Sequence, residues 1–204
     1  MHKIGLTGGI CTGKTFILNI LNELGCYTLR ADEIARNIIF APDSQVSKEI
    51  VREFGEGIYD EEKGLKKEEF TRILFEDIDK RNFVNNTVHP LVIAEREKVF
   101  RDLSKAGVFQ FFIYESALMV ESGTYKDFEK IIVVYTTAEE QMKRLQERDN
   151  IDYEDAENRI KAQFPLSEKL KVAHYTIDTS GSFESARAKA LETFHLMKKD
   201  FHIS

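Results

Sequence analysis

The chain has 204 residues, which suits one compact core with inserted elements, since single cores stop growing near ~250–300 residues. Hydrophobic residues make up 42% and charged residues 31%, a mix that excludes disordered and fibrous classes. A net charge of −6 argues against a nucleic-acid or membrane binder, yet it allows phosphate binding, which needs only a few placed cations and backbone amides. The two cysteines, Cys11 and Cys26, form neither a disulfide framework nor a CxxC metal pair and suit a reducing compartment. No apolar leader segment is evident, and no run approaches the ~20 residues of a membrane span. A cytoplasmic location is therefore expected.

Residues 1–6 read as a short strand halted at Thr7-Gly8-Gly9. A helix is expected from about residue 13, because Phe16, Ile17, Leu18, Ile20, Leu21 and Leu24 share one face and Gly25 supplies a stop. Residues 26–29 form a second strand that ends at Arg30-Ala31-Asp32, and a helix over 33–40 follows. This opening is a βαβ unit, so its strands are expected to be parallel.

From 41 to about 97 the texture is helical. Pro42 and Asp43 mark a turn, and Val46, Ile50, Val51 and Phe54 recur at helical spacing. Gly55, Gly57 and Gly64 mark loops, and Phe70, Ile73, Leu74 and Phe75 make another helical face. His89-Pro90 is expected to break the pattern, because proline disfavours helix at the residue before it, with a further helix over 91–106. Nearly continuous apolar runs at 108–114 and 130–135 read as buried parallel strands. Residues 137–170 are charged and helical, 175–178 make a last short strand, and 183–199 an amphipathic closing helix. The expected fold class is α/β, a core with a parallel sheet interrupted by a mostly helical insertion.

Gly8-Gly9-Ile10-Cys11-Thr12-Gly13-Lys14-Thr15 follows the first strand and opens the first helix. That context makes Gly-x4-Gly-Lys-Thr a phosphate loop. Its glycines let several N–H groups point inward, and the helix N-terminus adds partial positive charge. Residues from Gly8 to Phe16 are the expected cradle for a nucleoside triphosphate. Lys14 would reach the β- and γ-phosphates, and the Thr15 hydroxyl would ligate Mg2+.

Several classes use such a loop. A GTPase switch should carry an NKxD motif, which is absent, and the only DxxG (from Asp178 to Gly181) lies near the C-terminus. A small-molecule kinase needs a carboxylate for the acceptor hydroxyl, cations over the transferring group and a lid that excludes water. Asp32, at the end of the second strand, fits the first need; its other reading is a helix N-cap. Arg144 and Arg148, four apart on one helical face, fit the other two. A solvated helix with ion pairs to Glu140 and Glu147 explains them equally well.

The ordered set of motifs resembles the dephospho-coenzyme A kinase family along nearly the whole chain. The resemblance rests on the phosphate loop, on Ala31-Asp32-Glu33-Ile34-Ala35-Arg36 and on Gly64-Leu65 with Phe70, Leu74, Phe75 and Asp77. It continues through His89-Pro90, Gln141-x-x-Arg144-Leu145-x-x-Arg148-Asp149, Arg159-Ile160-x-x-Gln163 and Ile177-Asp178-Thr179-Ser180-Gly181-Ser182. It implies phosphorylation of the ribose 3′-hydroxyl of dephospho-CoA with ATP and Mg2+. It also implies a three-layer P-loop NTPase core (about 1–40, 98–138 and 168–204), a helical CoA-binding insertion (about 41–97) and a helical lid (about 139–167). On this resemblance Asp32 positions or deprotonates the hydroxyl, Arg36 and His89 lie toward the acceptor, and Arg144 and Arg148 close over ATP. Ser180-Gly181 passes near adenine. The partner is a small molecule, with no nucleic acid or membrane, in a monomer or weak homo-oligomer. The alternatives are another nucleoside or nucleotide kinase and a non-catalytic nucleotide-dependent switch.

This chain departs from the family pattern at several places. Arg30 replaces the usual first aspartate and puts a cation beside the site. Cys11-Thr12 stands in place of glycine-serine. In the Glu115–Glu121 segment Ala117 replaces a proline, and Thr179 replaces an asparagine.

Overall fold

A computed structural model describes residues 1–42, 44–60 and 64–203, except the side chain of Phe75. The turn at Asp43 and the helical-face role of the Phe75 side chain lie outside the described residues. The chain divides into two compact units, one of residues 1–30 with 103–204 and one of residues 31–102.

The first unit is built on a parallel sheet. Its chain order is β1 (His2–Gly8), α1 (Lys14–Glu23), β2 (Tyr27–Arg30), then, after the second unit, β5 (Phe111–Glu115) and β6 (Lys130–Tyr135). Next come α6 (Ala138–Asp149), α7 (Tyr153–Lys161), α8 (Leu166–Leu170), β7 (Tyr175–Asp178) and α9 (Phe183–Asp200). The strand order is β2-β5-β1-β6-β7, with every pairing parallel. β1 therefore lies at the centre, and Ile4 and Leu6 on it are fully buried. Strands covered on both faces need continuous apolar runs, which β5 and β6 supply. Ile17, Leu18, Ile20 and Leu21 of α1 and Ala186, Ala190 and Met197 of α9 complete this core.

β5 starts three residues later than the sequence reading. Its partner β1 begins at His2, which pairs with Phe111 and donates its amide to the Gln110 carbonyl at 2.8 Å. Val108 lies before that pairing and is exposed.

The second unit holds α2 (Ala31–Ile39), α3 (Gln45–Phe54), the antiparallel pair β3 (Tyr59–Asp60) and β4 (Gly64–Leu65), α4 (Lys67–Glu76) and most of α5 (Ile78–Ala106). Ser44 caps α3, accepting the Ser47 amide at 3.0 Å. Two readings are corrected here. The β3–β4 pair was not foreseen, and α5 runs without interruption through His89-Pro90. A proline inside a helix costs about 3 kcal/mol. Val84, Val88 and Val92, one helical turn apart, are all buried, and each contributes about 1.5–3 kcal/mol. The stripe outweighs the break. Asn86, whose carbonyl loses its partner to Pro90, is exposed, so water can serve it.

Among the described residues no helix is long and apolar enough to cross a membrane.

Candidate functional site

The phosphate loop leaves the carboxyl end of β1 and enters α1. At Gly8 any Cβ would come within 2.1 Å of the Val134 carbonyl oxygen, so only glycine fits against β6. Gly13 is the N-cap of α1 at φ 85°, a left-handed conformation that favours glycine. Cys11 takes the same region at φ 56° without that freedom, which costs about 1–2 kcal/mol. The loop is braced internally: the Thr12 hydroxyl and the Lys14 ammonium both donate to the Gly9 carbonyl, at 2.9 and 2.8 Å. The first turn of α1 carries no acidic side chain, which leaves its partial positive charge available to an anion.

Cations gather at this loop. Lys14, Arg144 and Arg148 all act electrostatically on the Cys11 thiol. Burial pushes that thiol up, toward the protonated, less reactive form, against the pull of Arg148. Burial also pushes the Lys14 ammonium down, while the Glu115 carboxylate at the end of β5 opposes the shift. Glu115 in turn meets Arg30 at 3.5 Å, each the other's register partner across β5 and β2. The departure at Arg30 thus has a structural counterpart, the acid of the neighbouring strand.

A polar clamp from the charged helical segment grips the loop at Ile10. The Gln141 side chain in α6 donates to the Ile10 carbonyl, and the Ile10 amide donates to Gln163 beyond α7, both at 2.8 Å. The two arginines differ. Arg144 donates to the Thr179 carbonyl at 2.7 Å and to its hydroxyl at 3.2 Å, and lies 3.3 Å from Glu140 one turn earlier. Arg148, exposed in the last turn of α6, makes a two-point contact with Asp149 at 2.7 and 3.0 Å, and Arg159 holds the same carboxylate at 2.6 Å. The pair with Glu140 foreseen for a plain solvated helix is real, but it is only one of Arg144's contacts.

Beside the clamp, Lys169 of α8 is fully buried. It donates to Glu121 at 2.6 Å and to the Ala117 carbonyl at 2.8 Å. Glu121 also accepts the Phe164 amide at 2.9 Å. The 115–121 segment is thereby fastened to the chain leaving α7.

The remaining candidates are placed as follows. Asp32 lies in the first turn of α2, one residue inside the helix start rather than at its N-cap, where a carboxylate favours the helix dipole. Arg36 follows one turn later, and both are exposed. His89 is exposed on α5. In the first unit, Thr15 is exposed in the opening turn of α1, and Phe16 packs edge-on against Phe183 at 5.2 Å between ring centres. Ser180 and Gly181 sit between β7 and α9, where Ser182 caps α9 by accepting the Ser185 amide at 3.2 Å.

Within the first unit the structure therefore brings Lys14, Arg144 and Arg148 together. It adds Gln141, Gln163, Thr179, Glu115 and the Lys169–Glu121 pair, for which sequence reasoning assigned no role. Gln141 and Gln163 were visible as motif members. Lys169, in a run rich in lysine and glutamate, gave no signal.

A family model described as "Dephospho-CoA kinase" matches residues 2–185. The dephospho-CoA kinase of Aquifex aeolicus is 36% identical over 98% of this chain and 100% of its own length. That of Carboxydothermus hydrogenoformans is 37% identical over 92% of this chain and 90% of its own. The solved dephospho-CoA kinase of Campylobacter jejuni superposes with a TM-score of 0.74 at 29% identity, covering 97% of this chain and 98% of that one.

Proposed function

Because the chain belongs to the dephospho-CoA kinase family, we propose that it transfers the γ-phosphoryl group of ATP to the ribose 3′-hydroxyl of dephospho-CoA, yielding coenzyme A and ADP. The observation that carries this reading is the phosphate loop at the carboxyl edge of a parallel sheet, the edge at which ligands bind in open α/β folds, with Lys14 folded onto its Gly9 carbonyl and Arg144 tied to it through Thr179.

Amides of the Gly8–Phe16 loop, other than that of Ile10, which Gln163 holds, cradle the phosphates, with Lys14 offsetting charge on the β- and γ-oxygens. Thr15 is the residue to ligate Mg2+, which when bound neutralises further charge on those oxygens. Arg144 and Arg148 stabilise charge on the transferring group, and Arg148 exchanges its Asp149 contact for a phosphate oxygen. Asp32 orients the ribose hydroxyl for in-line attack, Arg36 and His89 serve the acceptor, and Ser180 and Gly181 border adenine. Most of the rate arises from positioning and electrostatics, with no covalent intermediate. The enzyme is expected to act in the cytoplasm as a monomer or weak homo-oligomer.

The test is ADP release with Mg-ATP against dephospho-CoA, nucleoside monophosphates and no acceptor. Release only with dephospho-CoA is expected. Turnover of a monophosphate would instead make this a nucleotide kinase, and binding without acceptor-dependent turnover would make it a switch. In the same assay Asp32→Asn should lower transfer by about 10²–10⁴-fold while ATP affinity survives. Near-normal turnover of that variant would remove Asp32 from its role.

A further inference from the structure

Thr179 follows the last residue of β7 and is buried, at 5% exposure. Its amide donates to the Tyr135 carbonyl at 2.8 Å, extending the β6–β7 ladder by one residue. The strand ends therefore fix its backbone. Its side chain then makes contacts in two directions. The hydroxyl lies 2.8 Å from the Thr12 carbonyl of the phosphate loop and 3.2 Å from the Tyr135 carbonyl. It also accepts from Arg144 Nη1 at 3.2 Å.

A hydroxyl has one hydrogen and two lone pairs. The hydrogen goes to the nearer acceptor, Thr12, which leaves the lone pairs for the guanidinium. Arg144 closes the unit with its second contact, from Nη2 to the Thr179 carbonyl at 2.7 Å. The methyl group is used too: a Cβ placed on Gly13 would meet the Thr179 methyl at 3.4 Å, so the side chain abuts the loop just where α1 begins.

We propose that Thr179 is a positioning residue whose hydroxyl couples the phosphate loop to Arg144, so that the loop and this arginine keep a fixed relation before nucleotide arrives. Arg144 is then part of the rigid base of the site. Its neighbour Arg148, which hydrogen-bonds to Asp149 within the charged helical segment, is the arginine left to respond to ligand. The inference rests on the reading of Arg144 as a phosphate-facing cation.

Thr179→Val keeps the shape and removes the hydroxyl, so it strands the Thr12 carbonyl and one arm of Arg144. Thr179→Ser keeps the hydroxyl and removes the methyl. The experiment is a double-mutant cycle of Thr179→Val with Arg144→Ala, read in two ways: kcat and KM for Mg-ATP, and equilibrium affinity for Mg-ATP by titration, which needs no acceptor or turnover. Loss of a charge-assisted hydrogen bond predicts that Thr179→Val weakens kcat/KM and ATP affinity about tenfold or more. Thr179→Ser should recover most of that loss. The double variant should lose clearly less than the sum of the two single losses, because part of what the valine removes acts through the arginine.

Additive losses in the cycle, or a valine variant that lowers the melting temperature while leaving ATP affinity and kcat/KM at the wild-type level, would overturn the proposal. If the wild type binds Mg-ATP yet fails to phosphorylate dephospho-CoA, the functional reading fails while the affinity cycle still decides the coupling.

Discussion

The two ends of the parallel sheet are built from different chemistry. At the amino ends of the strands, Phe111 packs edge-on to Phe194 and Phe201, at 6.0 and 5.8 Å between ring centres, and His2 stacks on Phe201 at 3.9 Å. The polar groups there are closed in pairs. Tyr175 donates to Asp200 at 2.6 Å, and His2 meets Glu129 at 3.0 Å. At the carboxyl ends the phosphate loop, Tyr135 and Thr179 are joined by hydrogen bonds that reach across as many as 167 residues of sequence, and Glu115 meets Arg30. One end is apolar, with its polar side chains closed in pairs; the other is polar, with its groups joined in a network about one loop. Aromatic burial stabilises the sheet, while the carboxyl edge uses its bonds to keep cations and amides arranged about one loop. Stability and chemistry should therefore be separable by mutation along the same strands.

The largest effect should come from Phe111→Ala. This ring is 1% exposed at the first position of β5, and truncating a buried phenylalanine costs about 3–5 kcal/mol. Chemical denaturation should record that loss, while kcat per folded molecule stays near wild type. A fall in kcat of the same size would mean that the two ends are coupled.

Lys169 is where the separation breaks down. It lies on the chemical side of the sheet yet is fully buried against Glu121. Removing one partner of a buried pair leaves the other charge stranded, which costs about 3–5 kcal/mol. Lys169→Met should thus destabilise nearly as much as Phe111→Ala, and adding Glu121→Gln should restore most of the loss by removing the orphaned charge. Denaturation of the single and double variants checks both statements. No recovery in the double variant would mean that Lys169 acts chiefly through the Ala117 carbonyl.

Lys14→Ala should do the reverse of Phe111→Ala. Losing a donor aimed at developing charge costs about 10²–10³-fold in rate, so phosphoryl transfer should fall by that much. The melting temperature should hold or rise slightly, because burial disfavours the charged ammonium in the folded state.

What the sequence made legible follows the same division. The phosphate loop was readable because its conformation is local: glycines, a lysine and a threonine at fixed offsets between a strand and a helix. β6 was readable because a buried strand needs an unbroken apolar run, and β7 because Tyr175 and Ile177 alternate with polar residues. The start of β5 was not, since it depends on where β1 begins. Continuity of α5 through Pro90 was hidden for a related reason, because the valine stripe is favourable only once it is buried. The polar clamp was the least legible part. Gln141, Gln163 and Thr179 carry no charge, and their partners lie 131, 153 and 167 residues away. Asp32 was legible as a residue, but its place one step inside α2 depended on where that helix begins.

The smallest expected effect tests the loop itself. Cys11 sits at φ 56°, where a residue with a Cβ pays about 1–2 kcal/mol. Glycine would relieve that strain, but its greater freedom in the unfolded chain takes back about 0.5–1 kcal/mol. The balance for Cys11→Gly is a gain of about 0.5 kcal/mol, or a rise of roughly 1–2 °C in melting temperature for a chain of this size. Cys11→Ala keeps the Cβ and the strain while deleting the thiol, so it should show no such rise. If both variants lose stability equally, the thiol is packing usefully against the loop, and the carboxyl edge carries part of the fold's stability after all.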